Sequence, residues 1–373
     1  MRPDLQPAFA SCMIRVFTPS FADEADTNAQ NLSVKEIVSR LDPDRFEVTM
    51  LCERAADPRI ASRRNTILLR WRKHANSARV LFRLMRKVPD LYFFPREGPL
   101  DAGYFNLRRH LRLKTAVISY VVSGGLYSGS FPPARVRQIR EADAVFDNNS
   151  YLGQLLRDKM GILSAGTMYD GVDRRYYYEP PNGQPSKRTI TVLCVGSLRP
   201  YKRVPLAIRE AARWPNVCFR IAGTGEEEQV CKNLAAELDC KNVTFLGHRS
   251  QAEIGCEMRR ADIFFHPSIL EGHPQVLLQA AGSGLPVVAM RLYRPDSVVN
   301  GTTGFLADND AELSRGLSEL IQNPTLRRSM GRAAAEHALR FDWNVIASRW
   351  AEAFEKVVAE RQRSSNSEVR TRE

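Results

Sequence analysis

Short, near-continuous apolar runs alternate along the chain with stretches in which apolar positions recur at helical spacing. Runs of the first kind read as buried strands, the second kind as amphipathic helices. Strands are predicted at 13–18 (MIRVFT), 46–52 (FEVTMLC), 66–71 (TILLRW), 90–95 (DLYFFP), 115–122 (TAVISYVV) and 143–147 (DAVFD), with a helix over 32–41 after the first. A second alternation predicts strands at 190–195, 217–222, 243–246, 262–266, 285–289 and 304–306. Strands apolar on both faces belong in parallel sheets covered by helices. The expected fold is α/β, with two Rossmann-like, doubly wound parallel-sheet domains.

Residues 171–188 are rich in Pro, Gly and charge, as interdomain linkers are. The expected organisation is a flexible extension at 1–12, an N-terminal domain at 13–170, a linker at 171–188, a C-terminal domain at 189–341 and a disordered tail at 361–373. Beyond Phe341, the residues Val345, Ile346, Trp350, Phe354 and Val357 recur at helical spacing, predicting a helix over about 342–360.

Composition narrows the class. The chain has 373 residues, 43% hydrophobic and 26% charged, which fits a soluble two-domain protein. Seven cysteines, at 12, 52, 194, 218, 231, 240 and 256, are scattered without a CxxC pair, which points to reduced, mostly buried thiols and not to disulfides or zinc. No run is long and apolar enough for a membrane span, and the N-terminus lacks the basic start and apolar core of a signal peptide. The expected location is the cytoplasm, with the inner face of the membrane as a peripheral site.

The net charge of +12 is uneven: sixteen Lys or Arg stand between Arg54 and Lys114 against four acids. Within that stretch, residues 74–88 (HANSARVLFRLMRKV) read as a basic helix with Val80, Leu81, Leu84, Met85 and Val88 apolar. Two readings are open: contact with an anionic membrane, or a helix that buries its apolar face on its own sheet and solvates its arginines. No aromatic stacking platform accompanies the charge, so no nucleic acid partner is expected.

Residues 267–289 (PSILEGHPQVLLQAAGSGLPVVA) carry the chemistry. The segment reads as a strand end, an acidic loop, a helix with Pro274 first, and a second strand after Gly284. A helix N-terminus offers amide donors and the positive dipole end to a phosphate. Glu271 would repel a phosphate, and its natural partner is a sugar hydroxyl. Phosphate and sugar together point to a nucleotide-sugar. The alternative is a buried α/β unit in which Glu271 only caps the helix.

The landmarks VLCVGSLRPYKR (192–203), FRIAGTGEEE (219–228), VTFLGHRS (243–250), ADIFFHPSILEG (261–272) and NGTTGFLADND (300–310) occur in the order found in family 4 retaining glycosyltransferases of the GT-B fold, which residues 165–340 resemble. That family spaces two Glu residues eight apart; here they are Glu271 and Gln279. The resemblance implies a retaining transfer from a UDP-, GDP- or ADP-sugar to a hydroxyl acceptor, without a metal, in polysaccharide, glycolipid or lipid-linked glycan synthesis. It also implies that the C-terminal helix returns to the N-terminal domain.

Carried over residue by residue, the resemblance assigns Glu271 and Lys202 as catalytic. The donor site then comprises Gly196, Arg199, Lys202, Gly223, Gly225, Arg249, Glu271, Gly272, His273, Pro274, Gln275, Val276, Leu277 and Gln279. Ser197 stands where the family has an Arg, and Arg199 is expected to replace that cation. His273 reads as a wall of the donor pocket, His266 as packing, and Asp308 and Asp310 as caps of the helix starting near Ala311. The family's N-terminal His and Gly-rich loop are missing; Ser123, Gly124 and Gly125 are the candidate cleft residues of that half. Those departures leave a second reading open, a non-catalytic GT-B protein that binds a glycan or a partner.

Overall fold

The computed structural model describes residues 13–25, 28–72, 76–122, 131–180 and 189–370. The N-terminal sheet contains β1 (Ile14–Phe21), β2 (Phe46–Cys52), β3 (Thr66–Arg70), β4 (Leu91–Phe93), β5 (Ala116–Val121), β6 (Ala144–Asp147) and β7 (Gly166–Thr167) in the order β3-β2-β1-β4-β5-β6-β7. The second sheet contains β8 (Thr191–Val195), β9 (Cys218–Ala222), β10 (Val243–Gly247), β11 (Ile263–His266), β12 (Val287–Met290) and β13 (Gly304–Ala307) in the order β10-β9-β8-β11-β12-β13. Every strand pair is parallel. All twelve predicted strands are present, with boundaries moved by up to three residues. The two-residue β7, too short to leave a pattern, was not legible.

Several expectations are corrected. The first helix is Ala29–Val38, because Asn28 accepts from the amides of Gln30 and Asn31 and so starts it earlier than the apolar pattern does. The linker is not loose over its first half. Val172 is buried and donates its amide to the Phe341 carbonyl, and Tyr177 is buried in the core of the second domain. Residues 181–188 of the predicted linker, the 1–12 extension and 371–373 lie outside the described residues.

The last helix spans Trp343–Arg370, through most of the tail expected to be disordered. A helix anchored by its first turns extends at little cost into polar sequence. Its Trp343, Ile346, Trp350, Phe354 and Val357 enter the core of the N-terminal sheet. Val345, expected on that stripe, is 41% exposed, since it sits a full 100° around the axis from Ile346.

The helix Ser77–Arg86 buries the apolar side of the basic segment on its own domain. Val80 and Leu84 are buried in the cluster beneath it, with Leu81 and Met85 packed against that cluster. Its apolar stripe is thus consumed by its own domain. Among the described residues no helix is long and apolar enough to cross a membrane.

Candidate active site

In an open parallel sheet a crevice forms where neighbouring strands send their connections to opposite faces. In the second sheet that point lies between β8 and β11. The chain leaving β8 makes a short turn, Pro200–Lys202, and the chain leaving β11 carries Glu271. Across the crevice Lys202 Nζ pairs with Glu271 Oε1, and His266 Nε2 lies 3.0 Å from the same oxygen. The carboxylate fixes the tautomer: Nε2–H donates. Side-chain exposures are 15% for Lys202, 12% for Glu271 and 4% for His266, so the pair is desolvated.

Electrostatics follow from that burial. Burial alone would raise the Glu271 carboxyl, but the bonds and charges of His266 and Lys202 outweigh it and hold the group down at about 2. Burial pushes the His266 imidazole below its ordinary value against the pull of Glu271. Glu271 is therefore an anion and His266 a neutral donor at physiological pH. His266, read from the sequence as packing, is a member of the site; its only clue was its place at a strand end five residues before Glu271. Among the described residues, Glu271 Oε2 makes no hydrogen bond or ion pair.

The helix after this loop is Gln275–Gly282, with no side chain capping its first turn. Pro274 is not its first residue as expected but its N-cap, in an extended conformation (φ −69°, ψ 110°) that lets its carbonyl accept from the Leu277 amide at 3.0 Å. The Leu277 side chain points into the core, leaving only its backbone for a ligand. Val276 is half-buried, and Gln279, one turn along from Gln275, is half-buried with no side-chain hydrogen bond. Arg199 is exposed and its side chain makes no hydrogen bond or ion pair, so it does not join Lys202 on Glu271. Arg249 reaches Glu253 at 4.0 Å, outside the cluster.

Gly196 and Gly223 bring two loops together. A Cβ on Gly223, whose φ is +137°, would lie 1.9 Å from the Gly196 carbonyl oxygen, and one on Gly225 would lie 2.4 Å from the Leu198 oxygen. These glycines permit loop against loop.

Gly272 carries the site to the other domain: a Cβ there would sit 2.5 Å from the Val122 carbonyl oxygen, just past the end of β5. The carboxyl ends of the two sheets therefore face each other. Asn149 Nδ2, fully buried, donates to the carbonyls of Gly272 (3.3 Å), Tyr293 (3.0 Å) and Arg294 (3.2 Å), while Ser150 binds Asp296 through its amide and hydroxyl, each at 2.9 Å. Gln275 Nε2 donates to Ser33 Oγ at 3.0 Å, and Ser33 donates to the buried Asp170 at 2.6 Å. Burial pushes the Asp170 carboxyl up.

His273 lies in this seam. Its ring is 5.5 Å from that of Tyr169 and 6.1 Å from Phe341, and neither buried nitrogen has a hydrogen-bond partner. Burial lowers its pKa, so it is a neutral, aromatic-like packing group. Ser123, Gly124 and Gly125 lie outside the described residues. Asp308 and Asp310 are not the caps: Asn309 accepts from the Glu312 amide, Asp310 opens the first turn and pairs with Arg203, and Asp308 pairs with Arg291. No cluster of three or more metal-ligating side chains occurs among the described residues.

Comparison with known proteins bears on the family and the fold. Residues 179–337 match the family model described as glycosyl transferases group 1. A D-inositol 3-phosphate glycosyltransferase of Corynebacterium glutamicum is 28% identical over 226 residues, 54% of this chain and 53% of its own length. A phosphatidyl-myo-inositol mannosyltransferase of Mycobacterium leprae is 35% identical over 146 residues, 38% of each protein. The chain thus spans about half or less of these curated relatives. Among solved structures, sucrose-phosphate synthase of Thermosynechococcus elongatus superposes with a TM-score of 0.76 at 16% identity, covering 94% of this chain and all of the other. Anabaena HepE, solved with UDP, gives 0.75 at 19% identity, covering 92% and 100%. At such identities the superpositions speak to fold.

Proposed function

We propose that this chain, which belongs to the group 1 glycosyl transferases and has the GT-B fold, moves a sugar from a nucleoside-diphosphate sugar to a hydroxyl acceptor with retention of anomeric configuration. The observation that carries the reading is the buried Lys202–Glu271–His266 cluster at the switch point, directly before an uncapped helix N-terminus. A desolvated ammonium beside free amides is a counter-charge for a diphosphate. HepE, of the same fold, was solved with UDP, which supports a nucleotide donor.

In this reading Lys202 turns from Glu271 to the diphosphate as charge builds on it, and the Gln275 and Val276 amides hold phosphate oxygens. Glu271, freed on one oxygen and open on the other, accepts from sugar hydroxyls, and Gln279 meets the ribose. The bond between the anomeric carbon and the diphosphate breaks, the acceptor oxygen bonds to the same face, and its proton leaves on a diphosphate oxygen. Positioning and fixed charge supply the rate, and no metal is assigned a part. The acceptor enters from the N-terminal sheet; glycan or lipid-linked acceptors fit equally. Gln279 in place of Glu favours the second reading, a binding-only protein, to the extent that ribose affinity needs the charge.

A thermal-shift panel of UDP, GDP, ADP and their sugars tests this, because a ligand of the native state raises its stability. One nucleotide series should raise the Tm, and the shift should vanish in Lys202→Ala. The ligand-induced shift is compared, not the Tm, because that variant also leaves Glu271 buried and unpaired. Nucleotide release on adding acceptor separates transferase from binder; no shift with any nucleotide overturns the proposal.

A further inference from the structure

The outward face of the helix Ser77–Arg86 is unexplained by the donor site. Ser77, Val80 and Leu84 are buried, and Leu81 packs across onto Gly103 of the helix Pro99–His110. At 100° per residue the opposite face carries Arg79, Phe82, Arg83 and Arg86. Phe82 is 64% exposed, the most exposed aromatic side chain among the described residues. Arg79, Arg83 and Arg86 are exposed and make no hydrogen bond or ion pair. What marks this surface is the combination: three arginines that no acid neutralises stand around one bare phenyl ring on a single helix face.

A second apolar group lies at the end of the neighbouring helix. The two helices pack on one another over the same face of a parallel sheet, so they run the same way and their C-terminal ends emerge together. Past the second end stand Leu111, 58% exposed, and the exposed Arg112. Of the three acids in this stretch, Asp90 is paired with Arg15 and Asp101 is buried against Tyr92, which leaves Glu97 as the exposed one.

We infer that this face docks the protein on an anionic lipid bilayer, with the arginines at the headgroups and Phe82 and Leu111 entering the acyl boundary. Charge alone would serve any polyanion. A soluble glycan or nucleic acid backbone gives Phe82 and Leu111 nothing to bury them, whereas a bilayer removes both from water. The apolar stripe that the sequence offered for this purpose faces inward, and the binding face is its opposite.

Co-sedimentation of the full chain with vesicles of mixed phosphatidylcholine and phosphatidylglycerol, against phosphatidylcholine alone, tests the inference. Binding is expected only to the anionic vesicles and should fall as salt rises. The triple variant Arg79→Gln, Arg83→Gln, Arg86→Gln should lose roughly a hundred-fold in partitioning, at about five-fold per cation. Phe82→Ala should lose about ten-fold on vesicles and keep its retention on heparin. All four side chains are solvent-facing, so both variants should keep the wild-type Tm and nucleotide response. No binding to anionic vesicles at low salt, or vesicle binding by Phe82→Ala equal to wild type, overturns it; the latter result would identify the face as a site for soluble polyanions.

Discussion

Gln279 stands where the resembled family keeps a second glutamate, and its half-buried amide makes no hydrogen bond in the ligand-free protein. A carboxylate there would accept the ribose hydroxyls through a charge-assisted bond, roughly twice as strong as the amide's. Gln279→Glu is expected to tighten nucleotide binding by about 1 kcal/mol, measured as Kd by calorimetry. An unchanged Kd would mean that the residue does not touch the ribose. Glu271 could be singled out from its place between a strand end and a helix start, and Lys202 from the resemblance alone; the structure brings the two side chains together. His266 could not: a His ending an apolar strand has the pattern of a core residue, and only the fold brings it to Glu271.

Among the elements, the last helix is held by one side chain more than any other. Trp350 is fully buried, with ring centroids 4.9 Å from Phe93, 5.0 Å from Tyr120 and 5.4 Å from Phe146, so it reaches β4, β5 and β6 at once. Trp350→Ala should destabilise the protein by about 3–5 kcal/mol in urea unfolding while leaving nucleotide affinity intact, since the residues proposed to hold the donor lie on the other sheet. A change below about 1 kcal/mol would show that the helix is not integral to the N-terminal domain. The existence of this helix could be read from its period, whereas its length could not, because its polar last turns have no apolar signal. Val345 shows the same limit: an apolar residue about 140° around the axis from Trp350 falls outside the buried stripe although its neighbour Ile346 lies within it.

At the scale of the whole molecule, the seam between the two sheets contains buried titratable groups whose cost appears in acid. His266 and His273 are held neutral by burial, below the ordinary 6.5. The unfolded chain binds protons there first, so stability falls as pH drops below 6.5, by up to about 1.4 kcal/mol per pH unit for each group. Glu271 acts lower: its contribution is present above 4.5 and disappears as pH falls towards about 2. Asp170, raised by burial, pulls the opposite way, favouring the folded state below 3.8 and losing that contribution as pH rises. His273→Phe, which suits the Tyr169 and Phe341 rings, should flatten the fall in Tm between pH 6.5 and 5. Identical pH slopes for the two proteins would refute a neutral, unpartnered His273.

The sequence by itself determined the two α/β halves and singled out the charged loop before the helix Gln275–Gly282, because strand burial, helix period and charged loop residues are local patterns. Tertiary structure alone decided which of those residues meet. Lys202 and Glu271 are far apart in the chain and touch because β8 and β11 are neighbours at a switch point. Arg199, three residues from Lys202, points to solvent, since a single tight turn divides them. The same holds for Ser33, Asp170 and Gln275, joined only where the sheets face each other, and for Phe82, exposed because the helix that bears it turns its other side to the core. A linear pattern records which residues prefer burial, and the packing of one element on another settles which of them obtain it.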